Sequence, residues 1–206
     1  MRESYHVGQE RGDVLQPEVE RELVRLCKAG GARFYEPIVR AYEGPGLRIA
    51  LGMLGSPDEA QDALQEAFVK AWQSLPRFDV ERPFGPWFFR ILRNHCWDVI
   101  RSQRSRSRFE TRDEKLELRP AGVSSDPEYL HMKTEAKELL WKALSEVGDE
   151  HREILVLKEL EDLRYAEIAS ILDVPEGTVA SRLYHARRAL RSVLLSVLLE
   201  MNVEYP

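Results

Sequence analysis

Apolar residues recur every three or four positions along nearly every long segment of the chain. The sustained alternation of a half-buried strand is nowhere seen, so the fold is expected to be all-α. Ser56-Pro57-Asp58-Glu59 reads as a helix start, with Ser as N-cap, Pro at the first helical position and Glu three residues after the cap. That helix should run to about Ser74, where Leu75-Pro76 stops it. A preceding helix from Arg33 to about Leu54 offers Phe34, Ile38, Tyr42, Ile49 and Met53 to a core, and Gly44-Pro45-Gly46 should bend or break it. Phe78 to Gly85, with Pro83, reads as a loop before a helix from about Pro86 to Gln103. Ser105 to Ser125 is rich in Arg, Ser, Glu and Gly and has the composition of a solvated tether. Asp126-Pro127-Glu128 restarts helix, which Gly148 should end near Val147. Helices at Glu150 to Leu160, Tyr165 to Leu172 and Thr178 to about Leu199 follow.

Two small helical domains joined by a flexible linker are therefore expected. The boundaries are 1–19 for an N-terminal extension, 20–104 for the first domain, 105–126 for the linker, 127–195 for the second domain and 196–206 for a tail. A length of 206 residues agrees with one or two domains and leaves no room for a large barrel enzyme. Cys27 and Cys96 stand alone, without metal-ligand spacing, which argues against a zinc site or disulfide framework and for a reducing compartment. No apolar run is long enough to span a membrane, and the start MRESYHVGQERGD lacks a signal-peptide core, so a cytoplasmic location is expected.

Charge changes the picture locally. The net formal charge is −5, which excludes a generic polycation. Yet residues 77–112 carry nine arginines against four acids, and residues 178–192 carry four arginines and no acid. Residues 126–162 are the reverse, with eleven acids against five Lys or Arg. Two basic patches on an acidic body suit two nucleic-acid contacts and other partners elsewhere.

On the helix from Pro86, a helical wheel places Phe88, Ile91, Leu92, His95 and Val99 on the core side. Trp87, Arg90, Asn94, Trp97 and Arg101 fall on the other side. Rings interleaved with guanidinium groups and one amide suit single-stranded nucleic acid, because bases stack on aromatics, Arg holds phosphates and Asn can bond a base edge. The alternative is that Trp87 and Trp97 pack on a neighbouring helix.

Tyr165 to Leu190 has the layout of a helix-turn-helix: a short helix, a tight connection through Asp173 to Gly177, and a longer helix capped by Thr178. Val179, Leu183, Ala186 and Leu190 form its inward stripe, and small Ala169 permits close approach of the first helix. Ser181, Tyr184, His185 and Arg188 then point outward for base contacts, with Arg182 or Arg187 on phosphates. The alternative is a plain helical hairpin with a basic solvent face.

These residues together resemble the extracytoplasmic-function group of bacterial RNA polymerase sigma factors, in the sigma-70 family. Asp62 to Trp72 is similar to that family's helix that docks on the polymerase clamp. Arg77-Phe78-Asp79 and Pro86 to Asn94 resemble the segment that melts and reads the −10 element. Residues 149–191 resemble the region that binds the −35 element, and the likeness covers roughly residues 20–104 and 127–192. The resemblance implies that Asp62, Gln65 and Glu66 contact the clamp of the β′ subunit. It also implies that Asn94, with the loop from Asp79 to Gly85, forms a pocket for a flipped −10 base, and that Trp87 has a structural role. Core RNA polymerase (β′ clamp and β flap), promoter DNA and a dedicated anti-sigma factor are the implied partners, with no cofactor, metal or membrane insertion. Ala180 and His185 stand where many relatives have Arg, so no promoter sequence transfers.

Two other readings compete. A stand-alone helix-turn-helix repressor or activator would leave the clamp-like helix and the Trp87 to Arg101 face unused. An enzyme with Glu59, Asp62 and Glu66 as metal ligands would lack a phosphate loop, a metal-ligating His cluster and an activated nucleophile.

Overall fold

The computed structural model describes residues 15–107 and 139–203, and among them every regular element is helical. Four helices form the N-terminal unit: α1 (Pro17–Lys28), α2 (Tyr35–Leu54), α3 (Pro57–Ser74) and α4 (Phe84–Ser107). The C-terminal unit holds α5 (139–146), α6 (Asp149–Leu155, continued by a π-turn over Val156–Leu160), α7 (Tyr165–Leu172) and α8 (Glu176–Val203). Most of the expected linker and the restart at Asp126 lie outside the described residues.

Local chemistry sets these limits. Ser56 caps α3 by accepting the Glu59 N–H through its Oγ, as the start signal requires. Gly55 ends α2 at φ 79, in the left-handed region open to glycine. Asp173 ends α7 at φ 58, and its short polar side chain tolerates that conformation.

Two expectations need correction. Gly44-Pro45-Gly46 does not break α2, which continues through Pro45; packing across α3 and α4 holds the helix, with Gly46 buried against Leu64, Phe88 and Leu92. Thr178 is not the cap of α8, which begins at Glu176. The Pro175 carbonyl accepts the Thr178 and Val179 N–H groups and starts the ladder two residues earlier. Helix α1, opened by Pro17, starts close to the expected boundary between N-terminal extension and first domain and carries Val24 and Cys27 into the core. At its other end α8 runs to Val203, a turn beyond the expected end near Leu199.

The core side of α4 is also wider than the wheel implied. Phe84, Phe88, Phe89, Leu92, Cys96 and Ile100 are buried, whereas Ile91, His95 and Val99 are half-buried. The reason is that α4 is covered twice, by α2 and α3 on one side and by α7 on another. A continuous apolar core runs through both units, from Ile38 and Phe88 to Ile154 and Ile168. The two helical units are thus packed on each other rather than held apart. Among the described residues no helix is long and apolar enough to cross a membrane.

Candidate nucleic-acid interface

The loop Phe78 to Pro83 is fastened at both ends by α1. Lys28 Nζ donates to the Phe78 carbonyl at 2.7 Å, and Glu20 Oε1 accepts the Phe84 N–H at 3.0 Å at the start of α4. Glu20 also accepts the Tyr42 hydroxyl proton, and Arg25 meets Glu81 at 3.0 Å. A carboxylate there satisfies an orphan donor and faces the positive end of the helix dipole. Gly85 follows because a side chain would collide with the Tyr42 ring, its Cβ lying 3.0 Å from the hydroxyl oxygen. None of these α1 contacts was anticipated, although Gln16-Pro17-Glu18 carried a readable start signal.

From this anchored end α4 projects its polar face. Trp87 is half-buried, with its ring 4.5 Å from Phe78 and 5.3 Å from Phe84 between centroids, so part of its surface is already covered by packing. Arg90, Asn94 and Arg101 are exposed, and Trp97 is half-buried. Arg93, Asn94, Trp97, Asp98, Arg101 and Glu150 line a cleft of ≈ 510 Å³ between the two units. The structure therefore brings Asn94, Trp97 and Arg101 together, with Arg90 and Trp87 nearer the helix start.

Much of this face is engaged by acids of the C-terminal unit. Glu153, 2% exposed, takes Arg93 Nε at 2.5 Å and the Trp97 indole N–H at 2.6 Å on the same oxygen. Arg90 meets Asp173 at 2.9 Å, Arg104 meets Asp149, and Arg101 pairs within its own helix with Asp98. Arg93 and Glu153 were missed by sequence reasoning. Glu153 directly precedes the apolar run Ile154-Leu155-Val156-Leu157, but it follows the polar stretch Asp149 to Arg152, so nothing local separated it from a solvated acid.

The helix-turn-helix is formed by α7, the turn at Asp173 to Pro175, and α8. Val179, Leu183 and Ala186 are buried and Leu190 is half-buried, so the inward stripe holds. Ser181, Tyr184, His185 and Arg188 are exposed, while Thr178 and Arg182 are partly covered in the first turns. The Arg188 guanidinium lies 5.8 Å from the Tyr184 ring centre, and the Tyr184 and His185 rings sit edge to face at 5.4 Å. Arg187 is taken by Glu159 at 2.8 Å.

On α3, Asp62, Gln65 and Glu66 form one exposed face with Val69, over the buried Ala63, Leu64, Ala67 and Phe68. Glu66 lies 3.8 Å from Lys70, whose ammonium is 2.8 Å from His95 Nδ1. Burial, and then that ammonium, lower the His95 pKa. Glu59 instead turns toward Gln103 and one of its oxygens is buried without a partner, so it does not converge with Asp62 and Glu66. Among the described residues no group of three His, Cys, Asp or Glu side chains converges on a metal position. Burial raises the Cys27 pKa and pushes Cys96 up to about 12.

Comparison with known proteins agrees with this layout. Residues 38–106 match the family described as Sigma-70 region 2, and residues 137–190 match Sigma-70, region 4. The ECF RNA polymerase sigma factor SigW of Bacillus subtilis is 30% identical over 186 residues, covering 84% of this chain and 96% of the relative. The RNA polymerase sigma-H factor of Pseudomonas aeruginosa is 29% identical over 194 residues, covering 91% of this chain and 100% of the relative. In fold, the chain is similar to CnrH solved in complex with the cytosolic domain of CnrY (TM-score 0.66, 23% identity, 86% of this chain and 98% of that one). It is also similar to RpoE solved with the anti-sigma factor NepR from Bartonella quintana (TM-score 0.58, 23% identity, 87% and 98%). With both sigma regions in order and a likeness to such relatives along most of its length, the chain belongs to the extracytoplasmic-function (ECF) group of RNA polymerase sigma factors, within the sigma-70 family.

Proposed function

We propose that this sigma factor divides promoter recognition between two helices: α4 reads the melted −10 element, and α8 reads the −35 duplex. The observation that carries this reading is the pair of separate polar faces, Trp87-Arg90-Asn94-Trp97-Arg101 on α4 and Ser181-Tyr184-His185-Arg188 on α8, each set over a buried core. Asn94 bonds the edge of an unstacked base, with the loop fastened by Glu20 and Lys28 forming the rest of its pocket. Trp97 offers stacking surface, Trp87 backs the pocket through Phe78 and Phe84, and Arg90 and Arg101 hold phosphates. Ser181, His185 and Arg188 reach base edges in the major groove, Tyr184 supports Arg188, and Thr178 and Arg182 hold the backbone.

Asp62, Gln65 and Glu66 are the face for the β′ clamp of core polymerase, which gives an acidic surface next to a DNA-reading unit a use that DNA could not. On the C-terminal unit, Leu155, Leu190, Leu194 and Leu195, rimmed by Glu159 and Arg191, line a groove of ≈ 360 Å³ that suits the β flap. An anti-sigma factor is a further partner of the assembly, as in the similarly folded Bartonella quintana RpoE. The protein works in the cytoplasm and catalyses no reaction of its own, in keeping with relatives that are sigma factors. The stand-alone repressor or activator reading is not favoured, because the likeness to sigma factors spans both units.

Promoter scanning with holoenzyme tests the division. Asn94→Ala is expected to erase discrimination at one −10 position alone. Arg188→Ala is expected to relax one −35 position by about 1–3 kcal/mol. Unchanged −10 preference in the first, or a loss uniform across −35 sequences in the second, removes the respective base-reading role.

A further inference from the structure

The outward side of α8 carries one side chain unlike its neighbours. Tyr184 is 59% exposed, a phenol ring on a face otherwise made of small, hydroxyl, imidazole and guanidinium side chains. Opposite the buried stripe of Val179, Leu183 and Ala186, the exposed residues Ala180, Ser181, Tyr184 and Arg188 share that side of the helix. Ala180 stands one turn before Tyr184, and helical side chains lean toward the N-terminus, so the ring belongs over the turn that carries the Ala180 methyl. A longer side chain at 180 would compete for the same space.

Two contacts orient the ring. The Arg188 guanidinium lies 5.8 Å from its centre, and the His185 ring meets it edge to face at 5.4 Å. Neither covers it, as its exposure shows. Residues 178–192 carry four arginines and no acid, so the partner that suits this face is a polyanion. In its major groove a duplex offers hydrogen-bond donors and acceptors and one apolar group, the thymine C5-methyl. Ser181, His185 and Arg188 suit the polar base edges, whereas Tyr184 and Ala180 suit the methyl.

We propose that Tyr184, with Ala180 beside it, selects thymine in the −35 element: the phenol ring packs on a C5-methyl group while Arg188, drawn against the same ring, addresses the adjoining base pair. The proposal rests on the −35 assignment made above and names the base and the group that are read. Covering one methyl-sized group changes binding by about fourfold.

Holoenzyme assembled from the full chain and bacterial core polymerase tests this on a promoter that it selects. Each thymine on either −35 strand is replaced in turn by deoxyuridine, which keeps the base pairing and lacks only the methyl, and promoter affinity is read by competition. At one or two positions the exchange is expected to weaken binding of the parent about fourfold, to leave Tyr184→Ala unaffected, and to weaken Tyr184→Phe as much as the parent. Ala180→Gln fills the space over the ring and is expected to shrink the effect; an undiminished effect there removes Ala180 from the proposal. Both positions are exposed, so the variants should keep the helical circular dichroism of the parent. A parent indifferent to every exchange, a cost undiminished in Tyr184→Ala, or a −35 element without thymine on either strand overturns the proposal. A uniform loss of affinity in Tyr184→Phe without any response to deoxyuridine makes the hydroxyl a phosphate contact and overturns it too. Absence of any −35 sequence preference in the parent is a different failure, which removes the −35 assignment itself and the proposal with it.

Discussion

Gly46 lies where α2 crosses α3 and α4, and replacing it asks whether that crossing fixes the reading helix. Helix propensity alone favours alanine over glycine by about 1 kcal/mol at an interior position. The added Cβ, however, would stand 2.6 Å from Leu64 Cδ1, 3.4 Å from Phe88 Cε1 and 3.5 Å from Leu92 Cδ2. Carbon atoms rest at about 3.5–4.0 Å, so Leu64 must retreat by roughly 1 Å. It has nowhere open to go, being 1% exposed beside the fully buried Phe88 and Leu92. Overpacking of this kind costs about 1–3 kcal/mol. Gly46→Ala should therefore come out destabilised by about 1 kcal/mol, and Gly46→Val by about 3 kcal/mol, since β-branching returns less propensity and adds two methyl groups. Urea unfolding of the full chain measures both, with a melting-temperature loss of about 2–4 °C per kcal/mol at this chain length. A Gly46→Ala protein more stable than the parent would refute the close-packing argument and leave propensity as the whole effect.

Glu66→Arg should reduce assembly with core polymerase in a competition against unlabelled parent, because it reverses charge at the centre of the exposed α3 face; undiminished assembly rejects the clamp assignment. Glu20→Ala strands the Phe84 N–H and the Tyr42 hydroxyl, so stability should fall by about 1–3 kcal/mol and the Phe84 amide should lose hydrogen-exchange protection. Equal protection in the variant would show that the loop does not depend on α1. Cys27 and Cys96 are buried, with pKa values raised, to about 12 for Cys96, so few thiolates exist at pH 7.5 and iodoacetamide should label them only on unfolding. Rapid labelling of the native chain would contradict that burial.

Legibility in the sequence followed the range of the interactions. The α3 cap at Ser56, the stop at Leu75-Pro76, and the outward set Ser181, Tyr184, His185 and Arg188 depend on neighbours within a turn or two, and the periodic pattern carries them. Pro45 misled because the local rule against proline inside a helix was overridden by burial of Gly46 between two other helices. On α4, Cys96 and Phe89 were overlooked as core because their cover is distant in sequence: the Phe89 ring lies 5.6 Å from that of Tyr42 on α2, and Cys96 is buried near Glu153 of α6. The face Arg90-Asn94-Trp97 was visible as chemistry, but its pairing with Glu153 and Asp173 was not. Contacts separated by 56 to 83 residues leave no periodic trace. Gly52 is the same case: its neighbour Val156 lies in the other unit, so nothing local marks it as a contact glycine.

In vitro transcription from a pooled promoter library, with bacterial core polymerase and with or without this protein, asks whether the chain directs initiation through two DNA elements. Transcripts are expected to depend on the protein and to come from templates that share two enriched motifs at fixed spacing, the upstream one sensitive to Arg188→Ala and the downstream one to Asn94→Ala. Absence of protein-dependent initiation, together with duplex binding by the protein alone, would contradict that expectation.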